Sequence, residues 1–438
     1  MAAGPGALTA MFTIDLSPLR GSPQYRRLYI AGLFSALGGQ ATYVATAYQL
    51  RQLTHSTLEV GALGLVELMP LLFFGLYGGV IADRWDRRRV IIASEVILMV
   101  ATALLVVNSF IHHPSVLAIF VLDAFIVASG SVQTPSISAM NQLLVPHEKQ
   151  RASAQLNVLR GTAMSILGPA LGGLLAVLVG PGWAYVFNLV TFVFSISLLF
   201  TLAKVATTND RRESQTALMR EGVRYARTRP DVVGTYLVDL LAMTLAYPVV
   251  MLPFVAAHFH ETYALSLLYC ALPGGAFLAT LTMSWTHRVH RLGKGLVFAA
   301  AGWGVGIAIF GYSSTLWLVF LGLAAAGAAD AFSASFRQTM WNQSIPPEIR
   351  GRMGGLEMIS YALGPMAGQF RAGAMAAWTT LRFSLTFGGL ACTGSIGAVA
   401  VALPSLWRFD SRTDRHVLQV QALRASESDE ATQTGEWP

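Results

Sequence analysis

Gly79-Val80-Ile81-Ala82-Asp83-Arg84-Trp85-Asp86-Arg87-Arg88-Arg89-Val90 is the stretch on which the reading of this chain turns. It is a tight, basic connection between two long apolar runs, residues 57–81 and 90–110. Each run has about the 20 residues that an α-helix needs to cross a bilayer. Outward from this hinge the same pattern recurs at 26–50, 116–138, 153–178, 184–204, 231–256, 263–286, 295–312, 315–337, 353–376 and 381–403. In hydrocarbon only helices and closed barrels satisfy their own backbone hydrogen bonds. Runs this long and continuous exclude the alternating strands of an outer-membrane barrel. The expected fold class is therefore an all-α integral membrane protein with twelve transmembrane helices.

Composition agrees. Hydrophobic residues make up 54% of the chain and charged residues only 12%, with a mean hydropathy of +0.54. A soluble domain carries about a quarter of its residues charged. The net charge of +7 is spread by loop instead of gathered on one face, so nucleic acid is not the expected partner. Arg26 and Arg27 precede the first span, Arg84 to Arg89 follow the second, and Arg220 to Arg229 fill the central loop. Arg408 to Arg424 sit in the tail, whereas the opposite side offers only Arg51, Arg371 and Arg382. The positive-inside rule then places both termini in the cytoplasm and the chain in the cytoplasmic (inner) membrane as a multi-pass protein. Residues 1–19 contain no Lys or Arg and no sustained apolar core, unlike a secretory signal. Cys270 and Cys392 lie within expected spans and read as small packing residues.

The chain also looks duplicated. Asn141-Gln142, Val145-Pro146, Glu148 and Arg151 precede a span carrying Leu167-Gly168-Pro169-Ala170-Leu171-Gly172. About 200 residues later Asn342-Gln343, Ile345-Pro346, Glu348 and Arg350 precede Leu363-Gly364-Pro365-Met366-Ala367-Gly368. Two six-helix pseudo-symmetric halves follow. The expected division is a cytoplasmic segment 1–25, a first half 26–204, a linker 205–230, a second half 231–403 and a cytoplasmic tail 404–438. The linker has a helical look at Glu221–Ala226, and the tail beyond Asp410 is polar enough to be expected disordered. Pro248 and Pro253 in the seventh span, and Pro273 with Gly274 and Gly275 in the eighth, are expected to interrupt their helices.

Gly78 and Gly79 ahead of Asp83, followed by the Arg cluster, closely resemble the loop between the second and third helices of major facilitator transporters. Topology alone explains the Arg residues but not the Gly and Asp placed before them. The resemblance implies a cytoplasmic gate, or latch, made by Gly79, Asp83, Arg84 and Arg87. One departure is plain, because Asp86 stands where the family commonly has a second Gly. In the fifth span Gly168, Pro169, Gly172 and Gly173 are similar to the superfamily's antiporter motif, although only Gly161 remains of the upstream glycine series. Ordinary helix packing explains these residues equally well.

Together with Tyr25-Arg26-Arg27-Leu28-Tyr29, Gly327-Ala328-Ala329-Asp330 and Arg350-Gly351-Arg352, these motifs resemble the enterobactin-exporter branch of that superfamily from about residue 20 to 410. The branch exports siderophores, macrolides and other amphipathic molecules by proton antiport. Two departures leave the coupling chemistry open. The acid often found in span one is replaced by Gly38-Gly39-Gln40, and span four lacks the Arg of many proton antiporters.

Charges within the spans are the remaining candidates, since each costs about 2.5–3.5 kcal/mol at the bilayer centre. Glu67, Asp123, Arg160, Asp239, Asp330 and Arg337 are the clearest. In the resembled fold, spans one, four, seven and ten line the central cavity, which would put Asp123, Asp239, Asp330 and Arg337 near substrate. Asp330 and Arg337, seven residues apart, share a helix face and can share a partner. For any one of the acids a structural ion pair is the commoner role. That one of Glu67, Asp123, Asp239 and Asp330 carries a proton is nonetheless the favoured expectation.

No Gly-x4-Gly-Lys-Ser/Thr run marks a nucleotide site, the histidines are scattered, and no metal site is expected. The sequence thus reads as a secondary transporter, not an enzyme, working by alternating access. It needs no cofactor, with the proton gradient as its energy source. Its expected cargo is an amphipathic drug, antibiotic or siderophore-like metabolite, and it is expected to act as a monomer in the lipid bilayer. The alternatives on the same fold are an importer of a small metabolite or a non-transporting membrane sensor.

Overall fold

A computed structural model of the protein describes residues 15–203 and 215–434, except for the surroundings of some residues within helices, Gly79, Asp83 and Arg84 among them. Seventeen α-helices and three short 3₁₀ turns make up the described chain, with no strands among the described residues. The first half holds α1 (Ser17–Gly21), α2 (Pro23–Thr54), α3 (Thr57–Arg84), α4 (Arg87–Phe110), α5 (Val116–Leu144), α6 (Gln150–Leu178) and α7 (Pro181–Phe200). After the linker come α8 (Gln215–Arg227), α9 (Pro230–Ala246), α10 (Leu252–Ala257), α11 (Ala264–Leu281), α12 (Leu292–Tyr312), α13 (Leu316–Ser344), α14 (Pro347–Trp378) and α15 (Leu381–Ala402). α16 (Pro404–Trp407) and α17 (Arg415–Thr434) complete the chain.

α9 and α10 form one membrane-crossing segment, broken at Tyr247-Pro248 by a 3₁₀ turn over Val249–Met251. Counting them together, and setting aside α1, α8, α16 and α17, twelve membrane-crossing segments remain. Ten are long and apolar enough to cross a bilayer on composition alone. The other two, α2 and α14, carry more charged and polar residues, but their 32 residues each span about 48 Å at 1.5 Å per residue. Leu117, Met69, Trp378 and Val401 are each at least 70% exposed, a pattern that only an apolar solvent tolerates. The chain is a multi-pass membrane protein.

Two expectations are corrected. α11 runs unbroken through Pro273, because Gly275 nests it against the backbone of Ala324, where a Cβ would meet the carbonyl oxygen at 1.9 Å. Packing of this kind holds a proline-containing helix together in a membrane. The tail beyond Asp410 is helical over Arg415–Thr434 instead of disordered. Asp414 accepts hydrogen bonds from the backbone N–H of His416 and Val417, which starts the helix, and Val417 and Val420 are fully buried. Two valines three apart make an apolar stripe that an average over a polar segment conceals.

The chain divides into two compact units, Met1–Gln49 with Phe73–Asp210 and Leu50–Leu72 with Arg211–Pro438. The expected halves, by contrast, kept residues 50–72 with the first. Those residues join the second unit because the start of α3 meets α14: Thr57 Oγ1 donates to the carbonyl of Gly373 at 3.1 Å. A Cβ on Gly61 would lie 2.8 Å from Gly373 Cα.

In the first unit, Leu28, Ile91, Met140 and Leu199 form one apolar core, and Leu105, Ile119 and Tyr185 belong to another. Polar contacts knit the same helices: Asn188 Nδ2 donates to Thr42 Oγ1 at 2.7 Å, and the Tyr185 hydroxyl to Gln49 Oε1 at 2.8 Å. In the second unit the linker helix α8 is docked. Ala226 joins the cluster of Val232, Trp341, Ile345 and Met353, and Glu221 pairs with Arg352.

Candidate functional site

The repeat seen in sequence has a structural counterpart. Gly168 and Gly172 set α6 against α2, where added Cβ atoms would fall 2.4 Å from Gln40 Cβ and 2.5 Å from Ala41 Cα. Gly364 and Gly368 set α14 against α9 in the same manner, with contacts of 2.8 Å to Met243 Cβ and 2.2 Å to Met243 O. Pro169 and Gly173 lie buried on the same helix. The motif's observed work is close helix crossing.

The second unit concentrates charge. Arg337 on α13 pairs with Asp239 on α9, Nη1 to Oδ1 at 2.5 Å, with side chains 2% and 5% exposed. Ser360 on α14 donates to Asp239 Oδ2 at 2.9 Å. The Arg337 guanidinium lies 5.6 Å from the Tyr361 ring centroid and 5.8 Å from that of Trp341, distances at which ring faces attract a cation. Trp341 is fixed in turn by its Nε1–H on Thr235 and by stacking on Tyr236. Asp330, on the same face as Arg337, makes no ion pair with it within 4 Å. The partner found for Arg337 is Asp239. Glu357 accepts a hydrogen bond from Gln338 Nε2 at 2.9 Å, adding a carboxyl that the sequence reading overlooked.

Glu67 is buried in the same unit, and Asp123 is buried in the first. The first unit also holds an acid that sequence reading missed. Glu95 on α4 is 1% exposed and receives Gln133 Nε2 from α5 and Ser195 Oγ from α7, each at 2.5 Å. It lies eight residues past Arg87, and the signal for it was an acid within an otherwise apolar run. Arg160 lies over the Tyr29 ring at 5.2 Å and lines a cavity of about 210 Å³ with Glu95.

At the hinge, Gly79 and the side chains of Asp83 and Arg84 lie outside what the structure describes, whereas Arg87 is half-buried. Asp86, the departure from the resembled motif, is the N-cap of α4 and accepts from Arg89 N at 3.2 Å. Arg88 Nη2 donates to the Phe200 carbonyl at 2.7 Å and Arg27 Nη1 to that of Thr201 at 2.9 Å. Two of the basic residues that mark topology therefore also satisfy carbonyls at the end of α7, which have no helical partner. Arg229, expected in a solvated loop, is instead 1% exposed, paired with Asp231 at 2.6 Å and hydrogen-bonded to Tyr225 and Ser344.

Among the described residues no three His, Cys, Asp or Glu side chains gather as metal ligands. The arrangement suits binding and charge exchange: a clamped cation beside aromatic faces in one unit, and a carboxyl among neutral donors in the other.

Residues 13–428 match the model of a family described as transmembrane secretion effector. The enterobactin exporter EntS of Citrobacter koseri is 27% identical over 370 residues, covering 84% of this chain and 88% of that protein. EntS of Salmonella choleraesuis is 27% identical over 369 residues, covering 84% and 89%. Among solved structures, the nucleoside transporter NupG superposes with a TM-score of 0.68 at 14% identity, covering 88% of this chain and all of that one. A bacterial homologue of the human lysosomal transporter Spinster, inward-facing and unoccupied, gives 0.69 at 16% identity, covering 91% and 98%. The structural likenesses establish the fold alone.

Proposed function

Because the chain belongs to the transmembrane secretion effector family of major facilitator transporters, we propose that it exports an amphipathic, siderophore-like metabolite or drug in exchange for protons. It is a transporter and not an enzyme; direction, coupling and cargo are the proposal. Export is supported by the exporters among its relatives. The observation that carries the reading is the Asp239–Arg337 pair beside Trp341 and Tyr361. Charge buried within membrane-crossing helices is expensive to insert and marks substrate or ion pathways. A cation backed by aromatic faces suits a cargo that is itself aromatic and carries negative charge.

On this reading both termini face the cytoplasm, as the basic loops suggest, and the protein works as a monomer in the inner membrane. Asp83, Arg84 and Arg87, with Gly79, form the cytoplasmic latch, and Asp330 supplies a second acid near the ion pair. The test is uptake of fluorescent amphipathic cations and labelled siderophores into inverted vesicles, with and without an inside-acid gradient. Gradient-dependent accumulation abolished by an uncoupler is expected. Uptake indifferent to the gradient, from folded protein, would overturn proton-driven export.

A further inference from the structure

The carboxyls in the two units are held in opposite ways. Asp239 is locked to Arg337, a group that only donates hydrogen bonds and does not give up its charge. Protonating Asp239 would strand that guanidinium in a buried site. Glu95 has no such partner. Its bonded neighbours are the Gln133 amide and the Ser195 hydroxyl, and the Ser35 hydroxyl approaches the same carboxyl. Each of these groups can donate or accept. A carboxylate at Glu95 is satisfied by accepting from them, and a carboxylic acid by donating back to one, with no displacement of the backbone.

The surroundings complete the argument. Leu28, Ile91, Ile137 and Leu199 wall the site with hydrocarbon, while the cavity of about 210 Å³ beside Glu95 has room for water. The titratable groups facing it are Arg160 on α6 and, behind that guanidinium, Tyr29 on α2. α5 and α7 contribute Gln133 and Ser195, which do not titrate. Arg160 makes no ion pair with Glu95 within 4 Å; it is occupied by the Tyr29 ring and carbonyl.

We propose that Glu95 is the carboxyl that binds the exchanged proton, taken from and returned to water in the cavity it shares with Arg160. This rests on the proton-driven reading above. An O–H bond forms at one carboxyl oxygen as hydronium becomes water, and it breaks when the proton returns to water. Nothing is oxidised or reduced. The ionised carboxyl ties α4 to α5 and α7 by charge-assisted bonds, and the neutral one by weaker ordinary bonds. Protonation thereby biases the equilibrium among arrangements of these three helices, which is what coupling requires.

The experiment uses the full-length protein in liposomes, with a labelled siderophore as probe. Exchange at equal pH and accumulation under a pH gradient are measured in parallel, and infrared difference spectra record the carboxyl C=O band against pH. Glu95→Gln is expected to keep exchange, lose the gradient response at least tenfold, and lack the pH-dependent band. Glu95→Asp is expected to restore the response with a displaced pH profile and a shifted band. A gradient response retained in Glu95→Gln would overturn the assignment and leave proton-driven export standing. Exchange without any gradient response in the wild type would overturn both. Should Glu95→Gln fail to fold, or the probe not be carried, the band decides: moved by Glu95→Asp it supports the proposal, unmoved it overturns it.

Discussion

Arg337 and Asp239 meet at 2.5 Å across α13 and α9, with 2% and 5% of their side chains exposed, and Ser360 from α14 completes the carboxylate's second oxygen. One carboxylate thus joins three helices of the second unit. A buried pair of this kind adds little net stability, but breaking one side leaves an uncompensated charge.

Asp239→Asn is accordingly expected to destabilise the protein by about 3–5 kcal/mol and to abolish transport. The double change Asp239→Asn with Arg337→Gln removes both charges and should recover most of the stability but not the transport. Thermal unfolding in detergent, compared across the wild type and the two variants, checks this. Equal destabilisation by the single and the double change would show that the charge is not what matters.

The crossing of α6 and α2 at Gly172 makes a second prediction. A side chain there meets the Cα and carbonyl oxygen of Ala41, neither of which can yield as a side chain would. Gly172→Val should cost about 1–3 kcal/mol by overpacking. Gly368→Val, against the Met243 carbonyl in the second unit, should cost a similar amount. Folded yield and melting temperature are the readouts, and a neutral Gly172→Val would contradict the close crossing.

His416, in the second residue of α17, makes a pH prediction. Burial, then the Arg229 guanidinium, hold its pKa below the ordinary 6.5, against the opposing pull of Asp231 and Asp414 and with Arg415 adding to the repulsion. The neutral ring is therefore the form that fits the docked helix. Its contribution is fully present above about 6.5 and is lost as pH falls through the lowered value, because the undocked state then binds the proton more readily. Amide-exchange protection over residues 415–426 should decline on acidification, and His416→Gln should flatten that decline. Protection that rises on acidification would reverse the sign.

Most of the architecture was legible because hydropathy over some 20 residues is a long-range average, and membrane crossing depends on that average. The Gly-Pro repeat was legible too, since small residues at fixed spacing announce close helix contact. What escaped was whatever depends on a single contact. Glu95 was passed over among the span charges, and only packing against Gln133 and Ser195 shows it enclosed. Arg229 looked like one more loop charge, yet Asp231, Tyr225 and Ser344 enclose it. α17 was hidden because Val417 and Val420 are too few to lift the mean of a polar segment.

The hinge that identified the family carries two separable roles, and a pair of variants should divide them. Arg88 is tied to the last carbonyl of α7, a contact within the first unit. Arg88→Gln should lower stability by about 1 kcal/mol, a charged hydrogen bond discounted for its exposure, and leave the transport rate of the folded fraction near normal. Asp83, assigned to the latch, should behave oppositely. If it holds one conformation closed, Asp83→Asn removes a charge that acts in that conformation alone, so transport slows while melting temperature and insertion hold. Reconstituted transport per folded molecule, set beside thermal unfolding, measures both. Normal transport by well-folded Asp83→Asn would remove the latch, and loss of transport with unchanged stability in Arg88→Gln would move the gating role to the Arg cluster.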